Sequence, residues 1–452
     1  MLTERRGLGM ASLLLALALL LSACGGGGGT TAPAGGTTPP AGGSTAPAGG
    51  STAPVSGTVP VSGTNPVSGT VPLTGTSGTG TGGTPATGEP IKIGAIFDLT
   101  GPTADVSTPY SKGQIAFVKW KNANGGVGGR PIELLSQDYA YDVTKAEELY
   151  TQYIGEKVVA FSGWGTGDTE ALRSKIAQDK IPFISGSYSA ALANPTDAPY
   201  NFLTAPTYSD QLIIAMKWAL ADWKSKGNAG APKFAYLIND SPFGRSPLAE
   251  GTAFAKANGV ADPLEVPSPK GATDITGQLT QIKDSGANYV FIQNTSAPAK
   301  LALGGAKGLG LKAQFVCLNW CANELLIKLA GADAEGVVGT IPFSPSGPGA
   351  ELALSYAKAN GIDFGGADSS FVQGWTALSI LVAGMEKTVK DGKPLTGENI
   401  KASLETLANF DTGGVTQPIT FTATDHAGSK ALRVFQVKGG KWEPLTEFMT
   451  AK

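Results

Sequence analysis

From Glu89 onward, the chain alternates short, nearly continuous apolar runs with longer segments whose apolar residues fall on one helical face. Apolar runs of four to seven residues that are bounded by turn-forming residues are typical of strands buried in a parallel sheet. The pattern predicts strands at residues 91–97, 132–137, 158–162, 181–185, 234–238, 289–293 and 315–318.

Two of the intervening segments show clear helix starts. One predicted helix begins at Asp142, and another begins near Thr166 or Asp168. Their inward-facing residues are predicted to be Ala146, Leu149, Tyr150 and Tyr153 in the first helix and Leu172 and Ile176 in the second. Such alternation predicts an α/β fold with doubly wound parallel sheets and right-handed crossovers. More than ten strands are expected after residue 88, and two sheets hold that number better than one.

The first 88 residues differ in composition from the rest of the chain. They hold 22 of the 63 glycines, and no charged residue or histidine occurs between Cys24 and Gly88. Residues 25–88 repeat a Val-Ser-Gly-Thr unit and have almost no large apolar side chains with which to form a core. We therefore predict that residues 25–88 are a disordered tether rich in Gly, Thr, Pro and Ser.

Residues 1–24 have the pattern of an export signal. Arg5 and Arg6 precede an apolar run that is short for a membrane span, and the run ends in Leu-Ser-Ala-Cys at Cys24. This ending is similar to a bacterial lipobox, which implies lipidation of Cys24 and an anchor on the outer face of the cytoplasmic membrane or in the periplasm. The alternative is a plain signal peptide that is cleaved after Ala23.

Several classes of chemistry are disfavoured by the sequence. The formal net charge of −2 gives no electrostatic reason to expect a nucleic-acid partner. The single histidine, His426, lies in a polar turn where a surface position is expected, so a Ser–His pair is not predicted. The glycines at 125–129 follow a predicted helix and are interpreted as a helix stop rather than a dinucleotide loop. The chain is expected not to be an enzyme and to have no cofactor or metal.

Five segments occur in a characteristic order: residues 91–95 with 100–102, 124–132, 137–138 with 142, 308–315 and 331–337. In this order they resemble the branched-chain amino-acid (Leu/Ile/Val-binding) type of ABC-transporter substrate-binding protein, which has the type I periplasmic-binding-protein fold. The resemblance implies two lobes around a ligand cleft, with three hinge crossings near Pro206, Pro342 and Phe421. The N-terminal lobe would comprise 89–205 and 342–421, and the C-terminal lobe would comprise 206–341 and 422–452.

The resemblance also implies a function. The chain would be the solute-binding component of an ABC importer, with permease subunits as partners and membrane contact through the lipid anchor. Its ligand would be an amino acid or a small polar relative, such as an amide, a urea-like compound or a carboxylate. A surface receptor or sensor that uses the same module is the alternative, and a hydrolase of surface components is disfavoured because a catalytic triad is not found.

Open parallel sheets bind ligands at the carboxyl ends of their strands, and two loops of the first lobe are suggestive there. After strand 158–162, Trp164 offers an aromatic wall, Thr166 a hydroxyl and Asp168 a charge, although Thr166 and Asp168 are also suitable helix caps. After strand 181–185 come the candidates Ser187, Tyr188 and Ser189. The resemblance implies that these two loops hold the carboxylate and ammonium of an amino acid.

By the same resemblance, the second lobe contributes Phe243, Asn294, Thr295, Asn319 and Trp320. The chain has Asn319 where the Leu/Ile/Val binders carry a carboxylate for the ammonium, and a neutral amide binds a cation less strongly. Either Asp168 supplies the charge, or the ligand has no ammonium. Tyr188 and Trp320 are equally suited to the core.

Two cysteines remain after Cys24. Cys317 and Cys321 lie four residues apart, at the end of a predicted strand, in a chain with an export signal. A disulfide that holds the Asn319 loop is one interpretation, and two buried free thiols are the other.

Overall fold

The computed structural model describes residues 84–452. The predicted signal segment, the lipobox with Cys24 and the tether up to residue 83 lie outside the described residues.

The first sheet has five parallel strands in the order β2-β1-β3-β4-β5. Its strands are β1 (Ile91–Phe97), β2 (Ile132–Asp138), β3 (Ala160–Gly163), β4 (Phe183–Ser185) and β5 (Asn201–Phe202). The helices that connect them are α1 (Ala104–Ala123), α2 (Val143–Gly155) and α3 (Thr166–Asp179), with a 3₁₀ turn at Ala190–Leu192. Both faces of the sheet are covered, which explains why β1, β3 and β4 are almost continuously apolar.

The chain then enters the second sheet. Its parallel strands are β6 (Phe234–Asn239), β7 (Leu264–Ser268), β8 (Tyr289–Gln293), β9 (Gln314–Cys317) and β10 (Val338–Ile341). Its helices are α4 (Tyr208–Ser225), α5 (Pro242–Arg245), α6 (Leu248–Ala257), α7 (Thr276–Ser285), α8 (Ser296–Leu309) and α9 (Glu324–Ala330), with a 3₁₀ turn at Gly331–Ala334. The chain returns to the first lobe with α10 (Pro348–Ala359), α11 (Asp368–Lys390) and α12 (Gly397–Leu404).

Three last strands, β11 (Ala431–Lys438), β12 (Lys441–Pro444) and β13 (Met449–Thr450), complete the second sheet. The order is β12-β11-β10-β9-β8-β6-β7, with β13 also paired to β11, and β11 runs antiparallel to β10. The chain therefore passes between the sheets three times. The predicted α/β class with two doubly wound lobes is confirmed.

The seven predicted strands all occur, with ends that differ by at most two residues. The helix predicted at Asp142 is α2, where the Asp142 side chain accepts a hydrogen bond from the Lys145 N–H at 3.0 Å. The glycines at 125–129 do stop a helix, since α1 ends at Ala123 and Gly125, Gly126, Gly128 and Gly129 all adopt positive φ.

The prediction that His426 lies at the surface is wrong. The ring is fully buried and stacks on Phe202 at 4.0 Å between centroids. Its Nδ1 lies 2.8 Å from the Asn201 carbonyl oxygen, and its Nε2 lies 3.1 Å from Glu405 Oε1. The turn is buried because the third crossing pairs with the end of β5, through a bridge between Leu203 and Ala427. Burial lowers the pKa of His426.

Two helices of the first lobe, α1 and α11, cross at a pair of glycines. A Cβ on Gly374 would overlap the Tyr110 carbonyl oxygen, and a Cβ on Gly113 would overlap the Phe371 carbonyl oxygen. The close approach lets α11, which is buried along most of its length, fill the centre of the lobe.

We expect Gly374→Ala to lower the free energy of unfolding by about 1–3 kcal/mol, because the new methyl group has to push two helix backbones apart. The matched control is Gly308→Ala, which lies in an exposed part of α8 with open space around it and should be neutral or stabilising by up to about 1 kcal/mol. Urea unfolding of both variants measures the difference. Equal effects would contradict the packing argument.

Candidate ligand-binding site

Loops at the carboxyl ends of strands from both sheets meet around one small cavity. The first lobe contributes residues that follow β1 to β4, and the second contributes residues that follow β6, β8 and β9 and the start of α4. The lining residues are Thr103, Tyr141, Trp164, Gly165, Thr166, Gly186, Tyr208, Phe243, Thr295 and Trp320. The cavity encloses about 10 Å³, which is close to the space that one water needs. The lobes are therefore closed on each other.

Trp320, which follows β9 in the second lobe, is the centre of this closed contact. Its indole N–H lies 2.9 Å from the Tyr208 hydroxyl and 3.2 Å from the Gly186 carbonyl oxygen, which both accept from it. Its ring meets Trp164 edge-on at 4.7 Å and stacks on Tyr188 at 6.1 Å. A side chain of the second lobe is thus part of the hydrophobic core of the first.

The polar groups of the cavity are hydroxyls and backbone groups. Thr166 Oγ1 lies 2.8 Å from Ser187 Oγ, and the indole N–H of Trp164 donates to Thr103 Oγ1 at 2.8 Å. Thr295 Oγ1 is buried without a hydrogen-bond partner among the described residues. Of the side chains in residues 84–452, those that line the cavity carry no formal charge.

Two carboxylates lie directly behind this neutral lining. Asp98 accepts hydrogen bonds from the Thr103 N–H and hydroxyl at 2.8 and 2.7 Å, which orients Thr103 toward Trp164. Asp168 accepts from the Tyr139 hydroxyl at 2.9 Å and from the Gly165 N–H at 3.2 Å. Burial raises the pKa of Asp168 to about 6, and the nearby Asp98 charge adds to the effect.

At the edges of the cleft, each lobe caps a helix of the other. The Asp105 carboxylate of α1 accepts from the Ala297 N–H in the first turn of α8 at 2.8 Å. The Glu324 carboxylate of α9 accepts from the N–H and hydroxyl of Ser369, in the first turn of α11, at 3.0 and 2.9 Å. Burial raises the pKa of Asp105 to about 6 and also raises that of Glu324. Both contacts require the lobes to be closed.

A family model described as periplasmic binding protein matches residues 90–441. The chain therefore belongs to the periplasmic binding protein family. The resemblance to the Leu/Ile/Val-binding type is also confirmed. The Leu/Ile/Val-binding protein homolog 2 of Brucella abortus (strain 2308) is 24% identical over 272 residues, which are 60% of this chain and 72% of the relative.

Solved structures of other periplasmic binding proteins are similar along most of the chain. A branched chain amino acid ABC transporter from Thermus thermophilus with bound valine is 25% identical, with a TM-score of 0.75, covering 81% of this chain and 97% of that one. An ABC transporter substrate binding protein from Aeropyrum pernix is 27% identical, with a TM-score of 0.71, covering 80% and 96%.

Within this periplasmic binding protein, the structure separates the predicted site residues into two groups. Five of them line the cavity: Trp164, Thr166, Phe243, Thr295 and Trp320. The other six lie behind it: Asp168, Ser187, Tyr188, Ser189, Asn294 and Asn319. Members of the second group support the first, since Ser187 bonds to Thr166 and Asn294 Oδ1 accepts from the Thr295 N–H at 2.9 Å.

The remaining members of the second group face other partners. Ser189 donates to Glu170 at 2.6 Å, and the Asn319 and Gln373 side-chain amides lie 3.4 Å apart across the lobes. Asn319 thus connects the lobes and is not part of the cavity lining.

Five lining residues were not named as candidates from the sequence, and two of them, Gly165 and Gly186, lie in the predicted loops beside named candidates. Thr103 and Tyr141 follow β1 and β2, so the rule that ligands bind at carboxyl strand ends, applied to every strand, would have found them. Tyr208 is the first residue of α4, just beyond the first crossing. It had no local signal, because its position depends on how the two lobes meet.

The structure joins Cys317 and Cys321 by a disulfide, with 5.4 Å between the Cα atoms. The bridge closes the loop that carries Asn319 and Trp320.

Within residues 84–452, no helix combines the length and apolar character that a membrane crossing needs. Over the same residues, no group of three or more His, Cys, Asp or Glu side chains is arranged to hold a metal ion.

The raised pKa of Asp105 predicts a pH-dependent stability. An Asp that titrates at its usual value of 3.8 in the unfolded chain and at about 6 in the folded chain stabilises the fold fully below pH 4 and loses that contribution as pH rises through 6. We compare the free energy of unfolding of Asp105→Asn with that of the unsubstituted chain. We expect this difference to favour the variant more at pH 7 than at pH 4.5, by roughly 1–2 kcal/mol.

Urea unfolding at the two pH values measures this difference. Asp284→Asn, which removes an equal charge from an exposed position, is the matched control. The prediction would be contradicted if Asp105→Asn and the unsubstituted chain differed in free energy of unfolding by the same amount at both pH values.

The disulfide predicts a simple chemical result. When the chain is denatured and alkylated without reductant, we expect the peptides with Cys317 and Cys321 to carry no alkyl group. After reduction both should be alkylated, as mass spectrometry will show. Two alkylated cysteines before reduction would rule out the bridge.

Proposed function

We propose that the chain is the solute-binding component of an ABC importer, and that it holds a small carboxylate or amide in the cavity by closing its lobes. The observation that carries the proposal is the cavity itself, which is lined from both lobes by aromatic rings and hydroxyls. The Thermus thermophilus protein with bound valine, which has the same fold, supports a ligand of about this size.

One end of the cavity is suited to an anionic or strongly polar group. Thr166 is the first residue of α3, and Thr295 immediately precedes α8, so two helix N-termini from opposite lobes face the same space. The N–H groups and the partial positive charge at the start of α3 favour a carboxylate, whereas at α8 the Asp105 carboxylate already accepts from the Ala297 N–H. The unpartnered hydroxyl of Thr295 would gain a hydrogen bond from such a ligand.

The other end is suited to an apolar body. The rings of Trp164, Phe243 and Trp320 line it, together with those of Tyr141 and Tyr208. Rings of this size exclude water and bury a small aliphatic group on several sides.

The charges around the cavity favour a ligand without an ammonium group. Asp168 accepts two hydrogen bonds inside its own lobe, and Asp105 accepts from α8 outside the lining. An ammonium group enclosed here would find no carboxylate in the lining, which is costly in a closed site, and the nearest free carboxylate oxygen is Asp105 Oδ1, behind Thr295. We therefore place small carboxylic acids and amides ahead of amino acids.

Binding also requires the lobes to open. A ligand of several non-hydrogen atoms does not fit in about 10 Å³, so Trp320 and Phe243 have to withdraw before the ligand enters. Closure over the ligand then follows by movement at the three crossings, which we propose act as the hinges of lobes divided near residues 205, 341 and 421.

The proposal also includes the protein partners of the chain and its attachment to the membrane. ABC permease subunits are the expected partners, and Cys24 is the expected lipid attachment site that keeps the protein at the membrane. The family relatives are solute-binding proteins, which supports a role without catalysis.

A thermal-shift screen of the full chain tests this function. We expect 3-methylbutanoate and 3-methylbutanamide to raise the unfolding temperature more than valine does, because both lack an ammonium group and valine is 3-methylbutanoate with an ammonium group added. Thr166→Val should weaken binding about tenfold, whereas Thr280→Val on an exposed turn of α7 should not.

Two results would count against the proposal in different ways. If no small solute stabilises the chain, the binding role fails. If valine alone stabilises it, the role stands but the argument against an ammonium group fails.

A further inference from the structure

A second, larger groove lies beside the second crossing. It has a volume of about 840 Å³ and shares no lining residue with the ligand cavity. Its walls come from the crossing at residues 342–346, the first-lobe loop at 411–418, helix α9 and the strands β10 to β12. Its volume lies within the range of about 300–1,000 Å³ that is usual for small-molecule sites.

The floor of the groove is one face of the sheet edge. Along β11, Leu432 and Val434 are buried against the helix side, where α4 packs, whereas the alternate residues Arg433 and Phe435 are half-buried. Ile341 pairs with Arg433 in register and therefore lies on the same face. The apolar part of the groove is formed by Ile327, Ile341, Pro342, Val415, Phe435 and Trp442.

Basic and acidic side chains both line this groove. The basic residues of the groove are Lys328, Arg433 and Lys441, against the two acids Glu324 and Asp411. Both acids accept hydrogen bonds from within the protein, Glu324 from Ser369 and Asp411 from the Gly413 N–H at 2.8 Å. Lys328 also has a partner within the protein, because its Nζ donates to the Gly365 carbonyl oxygen at 2.7 Å.

The Arg433 guanidinium has only one charged partner, and that ion pair is weak. Its Nη2 donates to Glu447 at 2.8 Å, but the Glu447 side chain is 91% exposed, and such surface pairs contribute at most about 1 kcal/mol. Its Nε is buried and has no partner among the described residues, under the ring of Phe448, which lies 4.6 Å from the guanidinium. A guanidinium with a free Nε beside an apolar groove can bind a carboxylate through two parallel hydrogen bonds.

We propose that this hinge groove is a binding site for an amphiphilic carboxylate, whose headgroup replaces Glu447 on Arg433 and whose aliphatic chain lies along Ile341, Phe435 and Trp442. Phe448, which is 48% exposed, moves aside to admit the headgroup. Because the groove is lined from both lobes, its occupant favours the hinge angle that it fits, and so changes the balance between open and closed forms.

Calorimetric titration of the full chain with decanoate, below its micelle concentration, tests the site. We expect saturable binding at one site, and 1-decanol, which has no carboxylate, should bind at least tenfold more weakly. Arg433→Gln should weaken decanoate binding at least tenfold and leave 1-decanol unaffected, because it removes only the charged hydrogen bonds. Phe448→Ser should change the decanoate affinity by a few-fold. Phe448 is exposed, so we expect this variant to fold normally.

The matched control is Lys438→Gln. It removes one positive charge from the same strand, but at an exposed position on the opposite face, and it should change decanoate binding less than twofold. Thr166→Val, in the ligand cavity, should likewise leave decanoate binding unchanged, and Arg433→Gln should leave the thermal shift with 3-methylbutanoate unchanged. This separates the groove from the function proposed for the cavity.

Four outcomes would overturn the inference. They are an absence of decanoate binding, an equal loss in Lys438→Gln and Arg433→Gln, a loss in Thr166→Val but not in Arg433→Gln, and a dimer in sedimentation that Arg433→Gln dissociates. The last would show that a second copy of the chain covers the groove.

Discussion

The insertion of Trp320 into the aromatic cluster of the first lobe is the contact on which the closed structure depends. The indole comes from the second lobe, yet it packs on Trp164 and Tyr188 and donates to Tyr208 and Gly186. A buried aromatic ring of this size contributes about 2–3 kcal/mol through its apolar surface alone. The disulfide between Cys317 and Cys321 limits the conformations of the loop that presents the ring. The cavity is therefore enclosed only when the lobes close, because neither lobe alone supplies its whole wall.

Electrostatics is arranged to keep the cavity neutral and the cleft edges charged. Asp98 and Asp168 lie behind the lining and use their oxygens to hold loops in place, whereas Asp105 and Glu324 cap helices of the opposite lobe. Both edge carboxylates lose water on closure, which costs free energy that their hydrogen bonds offset only in part, as their raised pKa values indicate. Closure therefore carries a desolvation cost, which contacts with a bound ligand can offset.

The sequence predicted what depends on local pattern and missed what depends on contacts between distant segments. Seven strands and the cap at Asp142 follow from runs and spacings that act within a few residues, and the two-sheet fold follows from their alternation. His426 appeared exposed because its neighbours are polar, but pairing of the last crossing with β5 buries it. Five of the eleven predicted ligand residues line the cavity, and distance from the strand end does not separate them, since Asn294 directly follows β8 but does not line the cavity. Tyr208 and the contact between Asp105 and α8 depend on how the lobes meet, which local pattern does not record.

The most direct test of this account measures the distance between the lobes with and without the indole of Trp320. Spin labels at A171C on α3 and A253C on α6, both exposed positions, would report it in a full chain that also carries Cys24→Ser. We predict that Trp320→Ala shifts the distance distribution, measured by pulsed electron–electron double resonance, to longer distances and broadens it, because the aromatic contact between the lobes is lost. An unchanged distance distribution would contradict the central role of Trp320 in closure.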